Sequence, residues 1–116
     1  MKQSIEKAVS HYVDAWNMKD PNEVKAGFEK CLSVNCTYTD KNTPFMSGVK
    51  GFTDFVAASH KATPGRLFSL RSEPEYFSNK GRYFWSVSFP DKPTRDCMDF
   101  FEFDNDNFIT AIVGFV

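Results

Sequence analysis

What the sequence has little of narrows its chemistry first. It has no block of basic residues and a formal net charge of −1, so the electrostatic footprint of a nucleic-acid or anionic-membrane partner is missing. No apolar run approaches membrane-spanning length. Met1-Lys2-Gln3-Ser4 leads into a helical pattern instead of a signal peptide. The cysteines, Cys31, Cys36 and Cys97, are odd in number and lack metal-ligand spacing. Buried free thiols in a reducing cytoplasm are therefore expected. The turn Asp104-Asn105-Asp106-Asn107 lacks the glycine and the downstream glutamate of a calcium loop. Linkers, repeats and low-complexity segments are absent. These shortages imply a cytoplasmic protein with no metal, no cofactor, no nucleic acid and no membrane.

What is present suits one domain over residues 1–116, long enough for a real core. Aromatic residues make up 16% of the chain, enough to fill a core or line a pocket. Ile5, Val9, Tyr12, Val13 and Trp16 recur at the spacing of an amphipathic helix. Asp20-Pro21-Asn22-Glu23 reads as a second helix start, with Asp20 as N-cap, Pro21 in the first turn and Glu23 closing a capping box. Val24, Phe28, Cys31 and Leu32 form its apolar stripe. Val34–Asp40 alternates as a short strand with Cys36, Tyr38 and Asp40 on one side. A third helix is expected from Ser47-Gly48, carrying Phe52, Phe55, Val56 and Ser59, and Thr63-Pro64-Gly65 ends it.

The rest reads as β structure. Leu67–Phe77 is a strand interrupted at Pro74, followed by strands over Arg82–Phe89, Cys97–Phe103 and Phe108–Val116. The last two flank the Asp104–Asn107 turn as a hairpin. The final strand is apolar at nearly every position, which predicts cover on both faces. Asp99 is the exception in this region, since alternation places it beside Phe101 and Phe103. If buried, it must be hydrogen-bonded, paired or neutral. The layout predicts an α+β fold: three helices on a curved antiparallel sheet of four strands plus one short one.

Tyr12 and Trp16 on the first helix, Asp20 opening the second, Tyr38-Thr39-Asp40, Gly48 before Phe52-Thr53-Asp54-Phe55, and Asp99-Phe100-Phe101-Glu102-Phe103-Asp104 with Ile109 and Phe115 together carry a resemblance. The chain resembles the nuclear transport factor 2-like superfamily and, within it, the SnoaL-like and ketosteroid isomerase group. The resemblance implies a cone-shaped, cystatin-like α+β roll around an internal pocket, and a homodimer formed through the sheet. It also implies three chemical residues: Asp40 as general base, with Tyr12 and Asp99 holding the substrate oxygen. Lys41 follows Asp40 where that family has proline. Trp16, Tyr38, Phe55, Trp85 and Phe101 are the expected pocket residues, and a small apolar molecule is the expected partner.

Such a trio suits proton abstraction next to a carbonyl, which needs a carboxylate base and donors aimed at the developing enolate oxygen. In the ketosteroid isomerases an apolar site keeps a carboxylic acid neutral, so that it can act as one of those donors. Three functions remain open at this point: an isomerase or cyclase, a non-catalytic binder of apolar ligands, and a dimerisation module with a filled core. Lesser candidates are His11 and His60 on helix flanks, Cys97 two residues from Asp99, and Arg71 and Arg82, mid-strand cations whose default is a surface role and whose alternative is the pocket mouth.

Overall fold

The computed structural model describes residues 2–116. Helix α1, Ile5–Asn17, starts where the Ser4 hydroxyl accepts a hydrogen bond from the Lys7 amide at 3.1 Å, and it buries Ile5, Ala8, Val9, Tyr12 and Val13. Helix α2, Pro21–Glu29, opens on Asp20, whose carboxylate accepts from the Asn22 amide at 3.0 Å. Strand β1, Leu32–Thr39, and the two-residue β2, Met46–Ser47, precede helix α3, Gly48–Ala62. Gly48 enters α3 at φ +77°, in the left-handed region that glycine tolerates. Five strands complete the chain: β3 Leu67–Leu70, β4 Glu75–Phe77, β5 Lys80–Ser88, β6 Arg95–Phe103 and β7 Ile109–Phe115.

The α+β layout is as expected, but the sheet is larger and less uniform. It has seven strands in the order β2-β1-β7-β6-β5-β3, with β4 also pairing to β5. The expected Leu67–Phe77 strand breaks before Pro74, which has no amide hydrogen to donate, and its two halves pair separately with β5. Strand β1 begins at Leu32, so Cys31 and Leu32 are buried beyond the end of α2. It also joins β7 in parallel, through Tyr38↔Ile112 and Thr39↔Val113, so the sheet is mixed. The β6–β7 hairpin forms as expected. The Asp104 carboxylate accepts from the amides of Asp106 and Phe108, and Asn107 takes φ +65°.

The three helices cover one face of this sheet. On β6 that face carries Cys97, Asp99, Phe101 and Phe103, all buried. The other face carries Phe84, Met98, Phe100 and Val113, only partly buried, and Phe115, 58% exposed. Both faces of β7 are therefore not covered within one chain. All three cysteines are free and buried. No helix among the described residues is long and apolar enough to cross a membrane.

A seam of polar contacts fixes the end of α1 against α3 and β3. Asn17 replaces a missing strand neighbour for β3: its Nδ2 donates to the Phe68 carbonyl and its Oδ1 accepts from the Phe68 amide, both at 2.8 Å. Arg66 is buried, and it donates from Nη1 to the Trp16 carbonyl and from Nε to the Ser59 hydroxyl at 2.7 Å each. Its guanidinium lies 4.6 Å from the centre of the Phe68 ring. His60 Nε2 lies 2.8 Å from the Met18 carbonyl, and burial followed by the Arg66 charge lowers its pKa, so this histidine belongs to the seam as a neutral ring. Through these contacts Trp16 and Phe68 become fixed walls of the space beneath the sheet.

Candidate active site

Alternation along two paired strands builds the site. Strands β5 and β6 place Tyr83 opposite Asp99, Trp85 opposite Cys97 and Val87 opposite Arg95. These three rungs face the helices and line one wall of a cavity of about 200 Å³. Tyr12, Trp16 and Phe55 supply the helical wall, and Tyr38, Asp40 and Thr43 close one side. The aromatic lining is a linked set of rings: Trp16 lies 5.9 Å from Phe55 and 5.5 Å from Phe68, and Phe68 lies 5.3 Å from Trp85. Depth increases from Arg95, which is exposed, to Asp99, which is 3% exposed.

Asp99 sits at the closed end. The Tyr83 hydroxyl donates to its Oδ2 at 2.7 Å, while Oδ1 is buried without a partner. Burial pushes its pKa up to about 6, with Tyr83 and Trp85 opposing the shift. The Trp85 indole N–H acts on Asp99 from nearby but misses hydrogen-bond geometry, and it too is buried and unpaired. Tyr12 and Tyr83 are both held neutral, first by burial and then by the Asp99 charge, so their hydroxyls remain donors. Burial also raises the Cys97 thiol, so no reactive thiolate is formed there.

Asp40 lies at the wetter side in the opposite state. Its Oδ2 accepts from the Tyr38 hydroxyl at 2.6 Å, and its Oδ1 accepts from the Asn42 and Thr43 amides at 2.7 Å each. Partial burial acts to raise its pKa, but these donors outweigh it and the pKa falls below the usual value. The carboxylate is an anion fixed by the turn that follows β1.

Gly114 on β7 joins the two acids sterically. A Cβ there would lie 2.5 Å from the Tyr38 hydroxyl and 3.2 Å from Asp99 Oδ1. Gly114→Ala is therefore expected to displace the Tyr38 hydroxyl from Asp40. The expected loss of stability is about 1–3 kcal/mol, typical of overpacking. Urea unfolding and a crystal structure of the variant check both effects. Unchanged stability with Tyr38 still on Asp40 would contradict them.

Of the residues expected from the sequence, Asp40, Tyr12, Asp99, Trp16, Tyr38, Phe55 and Trp85 all meet at this cavity. Phe101 does not. It is fully buried one step past Asp99, packed 5.6 Å from the Tyr83 ring and 5.8 Å from the Phe103 ring, and belongs to the core. Arg71 and Arg82 take the surface role that is their default, pairing with Asp96 and Glu75 on the sheet surface. Arg95 occupies the mouth instead. Tyr83 is a further unanticipated member, as are Thr43, Phe68 and Val87. The alternation Tyr83, Trp85, Val87 was a usable signal for Tyr83, but the register that sets it opposite Asp99 was not visible.

No protein-family model matches the chain, and no curated protein sequence matches it. Solved structures do. A candidate isomerase of the SnoaL-like family from Agrobacterium tumefaciens superposes with a TM-score of 0.85 at 23% identity, over 97% of this chain and 97% of that one. A candidate polyketide cyclase from Sinorhizobium meliloti superposes with a TM-score of 0.72 at 16% identity, over 93% of each chain. A Catenulispora acidiphila protein with a ketosteroid isomerase-like fold, solved with trimethylamine, gives 0.71 at 12% identity, over 95% of this chain and 85% of that one. At these identities the likeness establishes the fold.

Proposed function

From a chain that has the fold of the nuclear transport factor 2-like superfamily, we propose a small acid–base enzyme that isomerises or cyclises an apolar carbonyl compound without a cofactor. One observation carries this reading: two carboxyl groups border one apolar cavity, and their surroundings push their pKa values in opposite directions. Asp40, ionised, is the base that removes a proton from the carbon next to the carbonyl. Asp99, with Oδ2 committed to Tyr83 and Oδ1 free, donates to the oxygen where negative charge develops, and the neutral Tyr12 hydroxyl is the second donor. Trp16, Tyr38, Phe55 and Trp85 shape the space and exclude water.

The experiment is α-proton exchange of aryl ketones in deuterated buffer, followed by proton NMR. Exchange above the buffer rate, dependent on Asp40, supports the enzyme. Saturable binding with no exchange supports the second reading, a binder of apolar molecules. One feature favours that second reading: the Asp40 carboxylate already accepts three short hydrogen bonds, which lowers its basicity. A module with a filled core fits less well, because the cavity has room for a small ligand.

We also propose that two copies pair through the outer sheet face. Phe84, Met98, Phe100, Val113 and Phe115 lie there as neighbours on three adjacent strands, in register across β5, β6 and β7, and the helices cover only the other side. A second copy brings the same apolar strip, which a two-fold axis matches to itself. Sedimentation equilibrium is expected to give a dimer at micromolar concentration and a monomer for Phe100→Asp. A wild-type monomer would contradict the pairing.

A further inference from the structure

The inner and outer ends of the cavity differ in what they ask of a ligand. At the inner end, two buried polar atoms without partners, Asp99 Oδ1 and Trp85 Nε1, lie on adjacent rungs of the β5–β6 ladder. At the outer end stands Arg95, the only Lys, Arg or His side chain among the cavity-lining residues. It shares the inward face of β6 with Cys97 and Asp99. Of the other three arginines, Arg71 pairs with Asp96 and Arg82 with Glu75, while Arg66 holds Trp16 and Ser59 through Nη1 and Nε, leaves only Nη2 unpaired, and lies outside the cavity lining. Among the described residues Arg95 has neither an ion pair nor a hydrogen-bonded side-chain partner.

We infer that the cavity takes an oxo acid: an apolar body with a carbonyl oxygen at the inner rung and a single carboxylate held at the mouth by Arg95. This deepens the acid–base reading above and rests on it for the position of the carbonyl. Arg95 and Asp99 are four residue steps apart on the strand, about 13 Å along β6. The long arginine side chain can reach inward over part of that distance, so a carbonyl and a carboxylate several carbons apart fit between them. The guanidinium presents a planar fork suited to a carboxylate. The charge count also favours one negative charge over two. Asp40 borders the same cavity as an anion, and it acts on the Cys97 thiol in opposition to Arg95. A dianion such as a phosphate would meet that repulsion more strongly than a carboxylate does.

The test uses δ-benzoylvalerate and its methyl ester, which share an aryl ketone and chain but differ in charge, with β-benzoylpropionate as a shorter acid. Calorimetric binding at low ionic strength is expected to favour the longer acid over its ester by about tenfold or more, a preference of the size that one well-placed charge pair confers. Arg95→Gln should weaken binding of the acid by about the same factor and change the ester less than about twofold. Arg95→Lys should recover part of the loss. Arg82→Gln, which removes the same charge from the outer face, should leave both affinities unchanged. β-Benzoylpropionate, too short to reach both ends, should gain less from Arg95. Equal affinity for acid and ester would overturn the inference. So would equal weakening of both by Arg95→Gln, or an Arg82→Gln effect as large as that of Arg95→Gln. α-Proton exchange on the bound acid is measured separately: Arg95-dependent binding without exchange upholds the substrate class and removes the acid–base reading, whereas exchange of acid and ester at equal rates with equal affinity does the reverse.

Discussion

Asp40→Asn is expected to lower catalysed α-proton exchange by about 10²–10⁴-fold, the range a positioned general base contributes, while leaving ligand affinity within about a factor of three. The substitution keeps the shape of the group. The oxygen of the new amide can still accept from the Asn42 and Thr43 amides, so the turn after β1 retains its cap. What disappears is the lone pair of an anion able to take a proton. Stability should fall by about 1–2 kcal/mol, because charge-assisted hydrogen bonds become neutral ones. Exchange followed by NMR, with ligand binding and urea unfolding on the same variant, separates these effects. Undiminished exchange in Asp40→Asn would transfer the base role elsewhere in the cavity.

The same assignment sets a pH profile. Asp40 must be ionised, and its pKa lies below the usual carboxylate value, so it limits the rate only in acid. Asp99 must carry its proton to donate, and in the empty cavity it loses that proton near pH 6. Rates are therefore expected to fall on the alkaline side, unless a bound ligand raises the Asp99 pKa further by excluding water.

The sequence was most informative where one period ruled a whole element. The apolar stripe from Ile5 to Trp16 could only be satisfied by burying one helical face, and α1 does so. The alternation through Asp99, Phe101 and Phe103 placed a carboxyl among phenylalanines, and the conflict this created was real: Asp99 is buried and its pKa is raised. Alternation does not say where a cavity ends, however. Phe101 shares the inward face with Asp99 but lies past the closed end, where Tyr83 and Phe103 fill the space. Arg95 is the mirror case. Two residues before Cys97 and four before Asp99, it falls on the same face, yet starting the strand at Cys97 left it outside the element. Pairings between distant segments were beyond local pattern altogether. The parallel contact of β1 with β7 joins Tyr38 to Ile112 across most of the chain, and it brings Gly114 beneath both Tyr38 and Asp99. Tyr83 entered the site only through the β5–β6 register.

Asp99→Asn is expected to gain stability relative to the wild type as pH rises, by up to about 3 kcal/mol between pH 4 and 7.5. The figure follows from the Asp99 pKa, which goes from 3.8 for an ordinary carboxyl to about 6 in the folded chain, each unit being worth about 1.4 kcal/mol. Because the folded pKa is raised, the folded state prefers the protonated acid. Its contribution is fully present below pH 3.8, is lost progressively as pH rises towards 6, and is gone above that. Asparagine has no proton to lose at this site, and its oxygen can still accept from Tyr83, so the variant escapes that loss. Asp40 has the opposite dependence: its lowered pKa contributes stability above the usual carboxylate value that is lost in acid. It is common to both proteins, however, and cancels in the difference. The constant offset between wild type and variant depends on how the introduced amide meets the unpaired side of the cavity, so the slope is the informative quantity. Urea unfolding of both proteins at intervals from pH 4 to 7.5 measures it. A difference that does not change over that range would mean that Asp99 ionises like a solvated carboxyl, and the inner end of the cavity could not then hold a neutral acid for an enolate oxygen.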